Sequence, residues 1–168
     1  MILWSICMKQ QRYTGKGIGV ALLDTGIYPH MDFDDRITGF CDFISHKKQI
    51  YDDNGHGTCV AGILGGSGAA SYGKYKGVAP ECTLVALKVL DRFGNGNKEN
   101  VLKAFRWILD HRKEYHIRVV NISVGTTYRT RNDHDVLVEG VEKLWDEGLV
   151  VVAAAGNQGP EPGSVTAP

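Results

Sequence analysis

The sequence predicts an α/β fold, built on a doubly wound and mainly parallel sheet with helices on both faces. Short apolar runs alternate along the chain with segments whose apolar residues recur at helical spacing. The apolar runs also lack the polar alternation of a strand that has one face in water. Strands that alternate with helices pair in parallel through right-handed crossovers, which leads to a sheet covered on both sides.

Four apolar runs are the predicted strands. Each is short and rich in valine, isoleucine, leucine or alanine, as a buried strand requires. The four runs are Ile18–Leu23, Thr83–Leu90, Ile117–Ile122 and Leu149–Ala155.

Three helices are predicted beside these strands. One begins near His56 and continues until the glycines at 65 and 66. A second covers about 97–116, where Asn97 is a suitable N-cap. A third covers 133–147, and Gly148 is placed to end it.

Charge and hydropathy exclude several classes of partner. The chain has 19 Lys and Arg against 19 Asp and Glu, and without a basic patch neither nucleic acid nor a membrane surface is a predicted partner. No apolar run is long enough to span a bilayer. The run at residues 2–7 is too short for a signal-peptide core and follows no basic residue. This predicts a cytoplasmic protein, or a secreted one if the natural N-terminus lies further upstream.

Polar residues follow the predicted strands, where the active crevice of a doubly wound sheet lies. Asp24 follows the first strand, Asn157 follows the last, and His56 begins a predicted helix. Each has an ordinary interpretation by itself: a turn-capping aspartate, a locally bonded histidine and an asparagine in a turn. Their combination is far more specific than any one of them.

Four motifs carry a resemblance to a known family. They are Asp-Thr-Gly at 24–26, His-Gly-Thr-x-Val-Ala-Gly at 56–62, Asn-x-Ser-x-Gly at 121–125 and Ala-Ala-Gly-Asn at 154–157. In this order they resemble the subtilisin-like serine proteases (subtilases, peptidase family S8), in which the aspartate precedes the histidine. The Asp-Asn-Gly-His-Gly-Thr stretch is most similar to the intracellular bacterial branch. The resemblance implies an N-terminal extension at 1–12 and a partial peptidase domain at 13–168.

The resemblance implies a role for each motif residue. Asp24 would orient the imidazole of His56, which would take the nucleophile's proton and return it to the leaving amine. Asn157 would donate its side-chain amide to the tetrahedral oxyanion. A peptide or protein substrate in extended conformation would pair with the backbone on both sides. The implied substrate-binding residues are Gly94, Gly96, Ser123, Val124, Gly125, Ala154, Ala155 and Gly156.

The family's nucleophile motif, Gly-Thr-Ser-Met-Ala-x-Pro, is absent from the 168 residues. The segment Gly163–Pro168 is similar to a shortened copy, but we expect Ser164 not to be the nucleophile, because no residues remain after Pro168 to form the helix that would hold it. The chain is therefore expected to be truncated before the catalytic serine and inactive alone. A non-catalytic peptide-binding pseudoprotease is the alternative. A sheet incomplete at its C-terminal end predicts exposed apolar surface along the last strand and poor solubility.

No cofactor is predicted and no metal site is assigned. The family often binds calcium, and Asp32 matches one frequent ligand position. The loop at 65–77, however, lacks the run of side-chain oxygens that a calcium loop supplies, so calcium binding is possible for the family and not assignable in this chain.

The four cysteines, at positions 7, 41, 59 and 82, form no Cys-x-x-Cys pair, which is typical of free thiols in a reducing compartment. Cys59 lies one helical turn after His56, where a thiol could respond to mercurials or oxidants, although packing is the favoured role. The same two residues with Cys41 or Cys82 are an alternative zinc cluster. Only one pair of these ligands is close in sequence, so zinc is the weaker interpretation.

Overall fold

The computed structural model describes residues 13–125, 136–157, 159–161 and 164–165. Five strands and three α-helices lie in these ranges, with short 3-10 turns at Asp34–Arg36 and Ala69–Ser71. The strands are β1 (Gly19–Asp24), β2 (Ile37–Asp42), β3 (Thr83–Lys88), β4 (Ile117–Ile122) and β5 (Val150–Ala153). The helices are α1 (His56–Gly65), α2 (Lys98–His111) and α3 (Val136–Asp146).

The described strands form one sheet in the order β2-β3-β1-β4-β5, and each neighbouring pair is parallel. From β1 in the middle, the chain goes first to β2 at one edge, then returns to form β3 between β2 and β1, and finally crosses to β4 and β5 on the other side. All six residues of β1 are buried, since strands flank it on both sides. This is the predicted doubly wound sheet, and its winding changes direction at the carboxyl end of β1.

Helices cover the two faces of the sheet unequally. Alternate residues of β1 point to opposite sides, so Ala21 and Leu23 pack in the core under α2 and α3, whereas Val20 and Leu22 pack in the core under α1. The α1 face is therefore covered by a single helix within the described residues.

Helix α1 reaches the sheet closely because its buried side chains are small. Gly57, Ala61 and Gly65 lie four residues apart and form its buried stripe. A Cβ added at Gly65 would lie 2.9 Å from the Sγ atom of Cys82, on the chain that leads into β3. A larger residue there would push the helix, and with it His56, away from the sheet.

Predicted element boundaries are confirmed in part. The Asn97 side chain accepts a hydrogen bond from the Asn100 N–H at 2.8 Å, as an N-cap does. Gly148 has a left-handed φ of 81° and ends α3 as predicted. The prediction that α2 continues to His116 is wrong: the helix ends at His111, and Ile117 N–H bonds back to the Arg112 carbonyl. The predicted residues 133–135 of α3 lie outside the described ranges.

One strand, β2, was not predicted. Its sequence Ile-Thr-Gly-Phe-Cys-Asp mixes polar and apolar residues without a clear period, because β2 lies at the edge of the described sheet and is only partly buried. The Gly39 in its centre also leaves room for the Tyr115 ring, 3.2 Å from where a Cβ would stand.

The predicted apolar exposure along the last strand is confirmed. Val150 and Val152 of β5 are 52% and 51% exposed, and Trp145 of the neighbouring α3 is 62% exposed. Among the described helices, none has both the length and the hydropathy to cross a bilayer.

Candidate active site

Asp24 is the last residue of β1 and is 1% exposed. Its Oδ1 atom accepts the Thr25 N–H at 2.7 Å and lies 2.7 Å from the Nδ1 atom of His56. Its Oδ2 atom is buried and has no hydrogen-bond partner among the described residues. A buried carboxylate requires a polar partner, and the His56 ring is the side chain that contacts it.

His56 is the first residue of α1, and its side chain is 54% exposed. One ring nitrogen, Nδ1, faces the buried carboxylate. Because the ring nitrogens lie on different edges, Nε2 is directed away from that contact and has no hydrogen-bond partner among the described residues. The imidazole is therefore oriented by one nitrogen and available for proton transfer at the other.

Two glycines allow the end of β1 and the start of α1 to touch. A Cβ at Gly57 would lie 2.2 Å from the Gly26 carbonyl oxygen and 3.1 Å from the Cβ atom of Asp24. Gly26 has a φ of 119°, and a Cβ there would lie 2.3 Å from the Tyr51 carbonyl oxygen. The glycines of the Asp-Thr-Gly and His-Gly-Thr motifs thus have a steric reason to be glycine.

The N-terminal turn of α1 is capped by side chains from outside the helix. The N-cap position is Gly55, which has no side chain to cap with, and the free N–H groups find acceptors elsewhere. The three bonds are His56 N–H to Asn54 Oδ1 (3.1 Å), Gly57 N–H to Thr25 Oγ1 (3.0 Å) and Thr58 N–H to Asp52 Oδ2 (2.9 Å).

Asp52 is the centre of this capping network. Beyond the Thr58 N–H, it accepts the Thr58 hydroxyl at 2.6 Å, the Gly55 N–H at 2.9 Å and the Thr25 hydroxyl at 2.9 Å. Burial by itself would raise the pKa of Asp52, but the hydrogen bonds from Gly55 and Thr58 outweigh it and lower that pKa to about 2. The group is ionised throughout the physiological range.

Lys88 ends β3 beside Asp24 and is 1% exposed. Its ammonium donates to the Thr25 carbonyl at 2.6 Å, to the Leu90 carbonyl at 2.9 Å and to Asp53 Oδ1 at 2.7 Å. All three of its donors are therefore used, which accounts for a buried lysine.

Sequence reasoning missed Asp52, Lys88 and the Thr25 hydroxyl as parts of the site. Two signals were available. Asp52 precedes a helix start in a polar turn, where capping acidic residues occur, and Lys88 interrupts an apolar run, where a charge is rarely buried without a partner. Neither signal shows that both side chains meet at Thr25.

The predicted Asn157 lies beyond β5, at the same edge of the sheet as Asp24, and is exposed. No hydrogen bond among the described residues joins it to Asp24 or His56. Ala154 N–H bonds to the Ile122 carbonyl at 3.0 Å, so residues 154–156 leave the sheet directly at its carboxyl edge.

The predicted substrate-binding segment Ser123-Val124-Gly125 follows β4 at this edge. Ser123 N–H bonds to the Leu23 carbonyl at 3.2 Å, and its hydroxyl accepts the Asn121 side-chain amide at 2.9 Å. Val124 is buried, whereas Gly125 is exposed. The serine hydroxyl therefore has a structural partner, and in this segment Gly125 is the residue open to solvent.

Gly94 and Gly96 lie in the turn after β3 and are exposed. Gly94 has a φ of 79°, and Gly96 bridges Leu90 in an antiparallel contact. The Asp91 carboxylate accepts the N–H groups of Asn95 and Phe93, and these bonds hold the pKa of Asp91 below its usual value. The turn is thus internally braced while its glycines remain accessible.

Ser164 is half-buried, and its N–H bonds to the Glu161 carbonyl at 3.1 Å. No hydrogen bond links its hydroxyl to His56 among the described residues. Gly163 and residues 166–168 of the short serine segment lie outside the described ranges.

The candidate metal ligands of the described residues lie apart from one another, and Asp32 is already hydrogen-bonded within the protein. Among the described residues, no three His, Cys, Asp or Glu side chains are grouped to hold a metal ion, which leaves the zinc alternative without a ligand set there. Burial raises the pKa of Cys82 and of Cys41, whereas Cys59 is exposed on α1. The Asp32 carboxylate accepts the Ala70 N–H at 2.7 Å and so anchors the loop where calcium was considered.

Comparisons with known proteins indicate the family of this chain. The family model described as "Subtilase family" matches residues 15–168. The chain is 43% identical over 164 residues to the serine protease AprX of Bacillus subtilis (strain 168), covering 94% of this chain and 37% of that protein. It is 40% identical over 148 residues to the minor extracellular protease Epr of the same organism, covering 87% of this chain and 21% of that protein.

A solved structure shares the fold. The crystal structure of a cold-adapted subtilisin-like serine proteinase superposes with a TM-score of 0.73 at 29% identity, covering 89% of this chain and 50% of that one. The chain thus spans half or less of the length of these three relatives.

Proposed function

The chain belongs to the subtilase family, and we propose that it supplies the aspartate, the histidine and the oxyanion asparagine of a serine endopeptidase. The observation that carries this proposal is the 2.7 Å contact between His56 Nδ1 and the buried carboxylate of Asp24. A half-exposed imidazole oriented by a buried acidic group is the arrangement that activates a hydroxyl nucleophile.

The proposed chemistry is peptide-bond hydrolysis through an acyl-enzyme. His56 Nε2 takes the proton of a serine hydroxyl as its oxygen attacks the scissile carbonyl, and then returns that proton to the leaving amine as the C–N bond breaks. A water molecule then attacks the acyl-enzyme ester with the same proton transfers through His56, which frees the serine and releases the carboxylic acid product. Asp24 stabilises the imidazolium that forms during acylation and again during deacylation, and it does not take the proton itself.

Asn157 and the neighbouring backbone complete the proposed site. Its exposed position past β5 suits a side-chain amide that donates to the oxyanion when a substrate is bound. The exposed backbone of Gly125 and of Gly94–Gly96 suits an extended peptide that pairs on both sides like an added strand. Endopeptidase action on unfolded segments follows from such backbone recognition.

The 168 residues do not themselves contain the family's serine motif. We therefore propose that this chain alone does not hydrolyse peptides, because removing one member of a cooperative triad leaves only residual catalysis. The proposed nucleophile would come from polypeptide outside these residues and not from Ser164.

A chimera tests the proposal. Residues 15–168 would replace the matching segment of AprX, which is 43% identical, and cleavage of a fluorogenic peptide would be measured. We expect hydrolysis that falls by orders of magnitude in Asp24→Asn and in His56→Gln. Asp42→Asn is the matched control at the end of another strand. A folded chimera without activity would contradict the proposal.

The alternative is a peptide-binding pseudoprotease, which the absent serine motif favours. Binding of an extended peptide by the unmodified chain, together with an inactive chimera, would support it. The cytoplasmic location and the absence of a cofactor stay predictions, and the relative Epr is extracellular by name.

A further inference from the structure

We propose that Asp52 is a positioning residue for the Asp24–His56 pair and that it acts through the hydroxyl of Thr25. The proposal rests on the proposed function, since it concerns the orientation of the same imidazole. Asp52 touches neither member of the pair in any hydrogen bond among the described residues, so its effect has to pass through an intermediate group.

Thr25 is the intermediate next to both members of the pair, whereas the Gly55 and Thr58 groups that also bond to Asp52 flank His56 alone. It follows Asp24 directly, is 1% exposed, and its hydroxyl donates to Asp52 at 2.9 Å while accepting the Gly57 N–H at 3.0 Å. Gly57 in turn follows His56. One hydroxyl therefore joins the residue after the aspartate to the residue after the histidine.

The charge of Asp52 sets the direction of this bridge. An ionised carboxylate only accepts hydrogen bonds, so it holds the Thr25 hydroxyl hydrogen toward itself. The lone pairs of the Thr25 oxygen are then free to accept from Gly57. If the Asp52 position presented an amide nitrogen instead, the hydroxyl would face two donors and the bridge to α1 would weaken.

The bridge matters because it lies next to both members of the pair, whereas the Tyr28 N–H bond to the Thr58 hydroxyl at 2.9 Å also links the end of β1 to α1 but two residues further from His56. The two segments meet through Gly26 and Gly57, which have no side chains to interlock. The His56 ring is 54% exposed and depends on one 2.7 Å contact, for which water competes. A displacement of about 1 Å at a reacting group can reduce catalysis about a hundredfold, so directional bonds next to the pair have a large effect.

The test uses the full 168-residue chain and does not require activity. Proton NMR of histidine-labelled chain would follow the low-field resonance of the His56 Nδ1–H bonded to Asp24, assigned by its loss in His56→Gln. We expect Thr25→Val to abolish this resonance, Thr25→Ser to retain it, and Asp52→Asn to weaken it at least severalfold.

Asp42→Asn is the matched control. Asp42 is also a buried carboxylate, and it accepts the backbone N–H groups of Ile44, Ser45 and Lys47 and the Tyr51 hydroxyl. Among the described residues it has no hydrogen bond to Thr25, His56 or Gly57. We expect this variant to lower stability and to leave the resonance unchanged. An unchanged resonance in folded Thr25→Val would overturn the proposal, as would equal weakening in Thr25→Val and Asp42→Asn.

Two variants keep the test decisive. If Thr25→Val does not fold, the comparison of Asp52→Asn with Asp42→Asn decides in the same way. A missing resonance in the unmodified chain would contradict the Asp24–His56 contact and so the proposed function itself, whereas loss confined to Thr25→Val and Asp52→Asn supports positioning even if the chimera is inactive.

Discussion

The two halves of the sheet differ in how completely they are packed. At the β3–β1 side, every residue of β1 is buried, and the buried charges of Asp24 and Lys88 have partners at the carboxyl edge. At the β5 side, valines that belong in a covered sheet are half exposed. The difference shows that a site can be locally preorganised while the sheet that carries it still presents unpartnered apolar surface.

Gly57→Ala should destabilise the β3–β1 side of the sheet more than any other change proposed for that side. The added Cβ would lie 2.2 Å from the Gly26 carbonyl, a backbone atom that cannot rotate away, and we expect a loss of about 3 kcal/mol in unfolding free energy. Urea denaturation measures it. Gly62→Ala in the same helix is the control: nothing lies within 4 Å of its Cβ, so it should be neutral or stabilise by about 0.5–1 kcal/mol. Equal effects would contradict the close contact.

Lys88→Met should be the next largest change. It leaves the Thr25 and Leu90 carbonyls without their buried donor, and we expect a loss of about 2 kcal/mol in the same measurement. Lys103→Met removes an exposed lysine that pairs with Glu99 at 3.5 Å and should change stability by less than about 0.5 kcal/mol. A Lys88 variant as stable as the Lys103 variant would mean that the buried ammonium does not support the site.

Acid should lower the unfolding free energy through Asp52 and Asp42, which lie at the β3–β1 side of the sheet. The pKa of Asp52 is lowered to about 2 and that of Asp42 is also lowered in the folded chain. Their stabilisation is thus present above the unfolded pKa near 4 and is lost as the pH falls through the folded values. Unfolding free energy measured between pH 5 and 2 should decline, and less steeply in Asp52→Asn. A parallel decline in both proteins would count against Asp52 as a source.

Tyr51 should limit stability at the opposite, alkaline end of the pH range. Burial, followed by its hydrogen bond to Asp42, raises the pKa of Tyr51 to about 12. A raised pKa means that the stabilisation is complete below the unfolded value near 10 and disappears as the pH rises toward 12. Alkaline denaturation of Tyr51→Phe should lack this component. If the variant and the parent lose stability over the same interval, another group is responsible.

Val152→Lys should have the smallest effect on stability and should raise the solubility of the chain through the β5 side of the sheet. Its position is 51% exposed on β5, so we expect a change within about 0.5 kcal/mol together with higher solubility, since a charged edge strand resists pairing with other chains. Val120→Lys on the neighbouring strand, where the side chain is 0% exposed, should not fold. Unchanged aggregation of Val152→Lys in light scattering would contradict the role of this edge.

Much of the fold was predictable because its strands are buried on both faces. Apolar runs such as β1 carry a strong local signal, and the N-cap at Asn97 and the stop at Gly148 follow from their own chemistry. The edge strand β2 was not predictable, because partial burial removes the periodic pattern. The end of α2 was misplaced, since the turn at 112–116 depends on contacts with the strand that follows.

The sequence by itself determined which groups are present for chemistry: an aspartate after a strand, a histidine at a helix start, and glycines small enough to let the two meet. Tertiary structure alone decided that Asp52 and Lys88 both hold Thr25, because their bonds join residues 27 and 63 positions apart. The tertiary structure also decided which side of the sheet is fully packed. Local residue preferences are set within a few positions of the chain, whereas hydrogen-bond partners and burial depend on segments that only folding brings together.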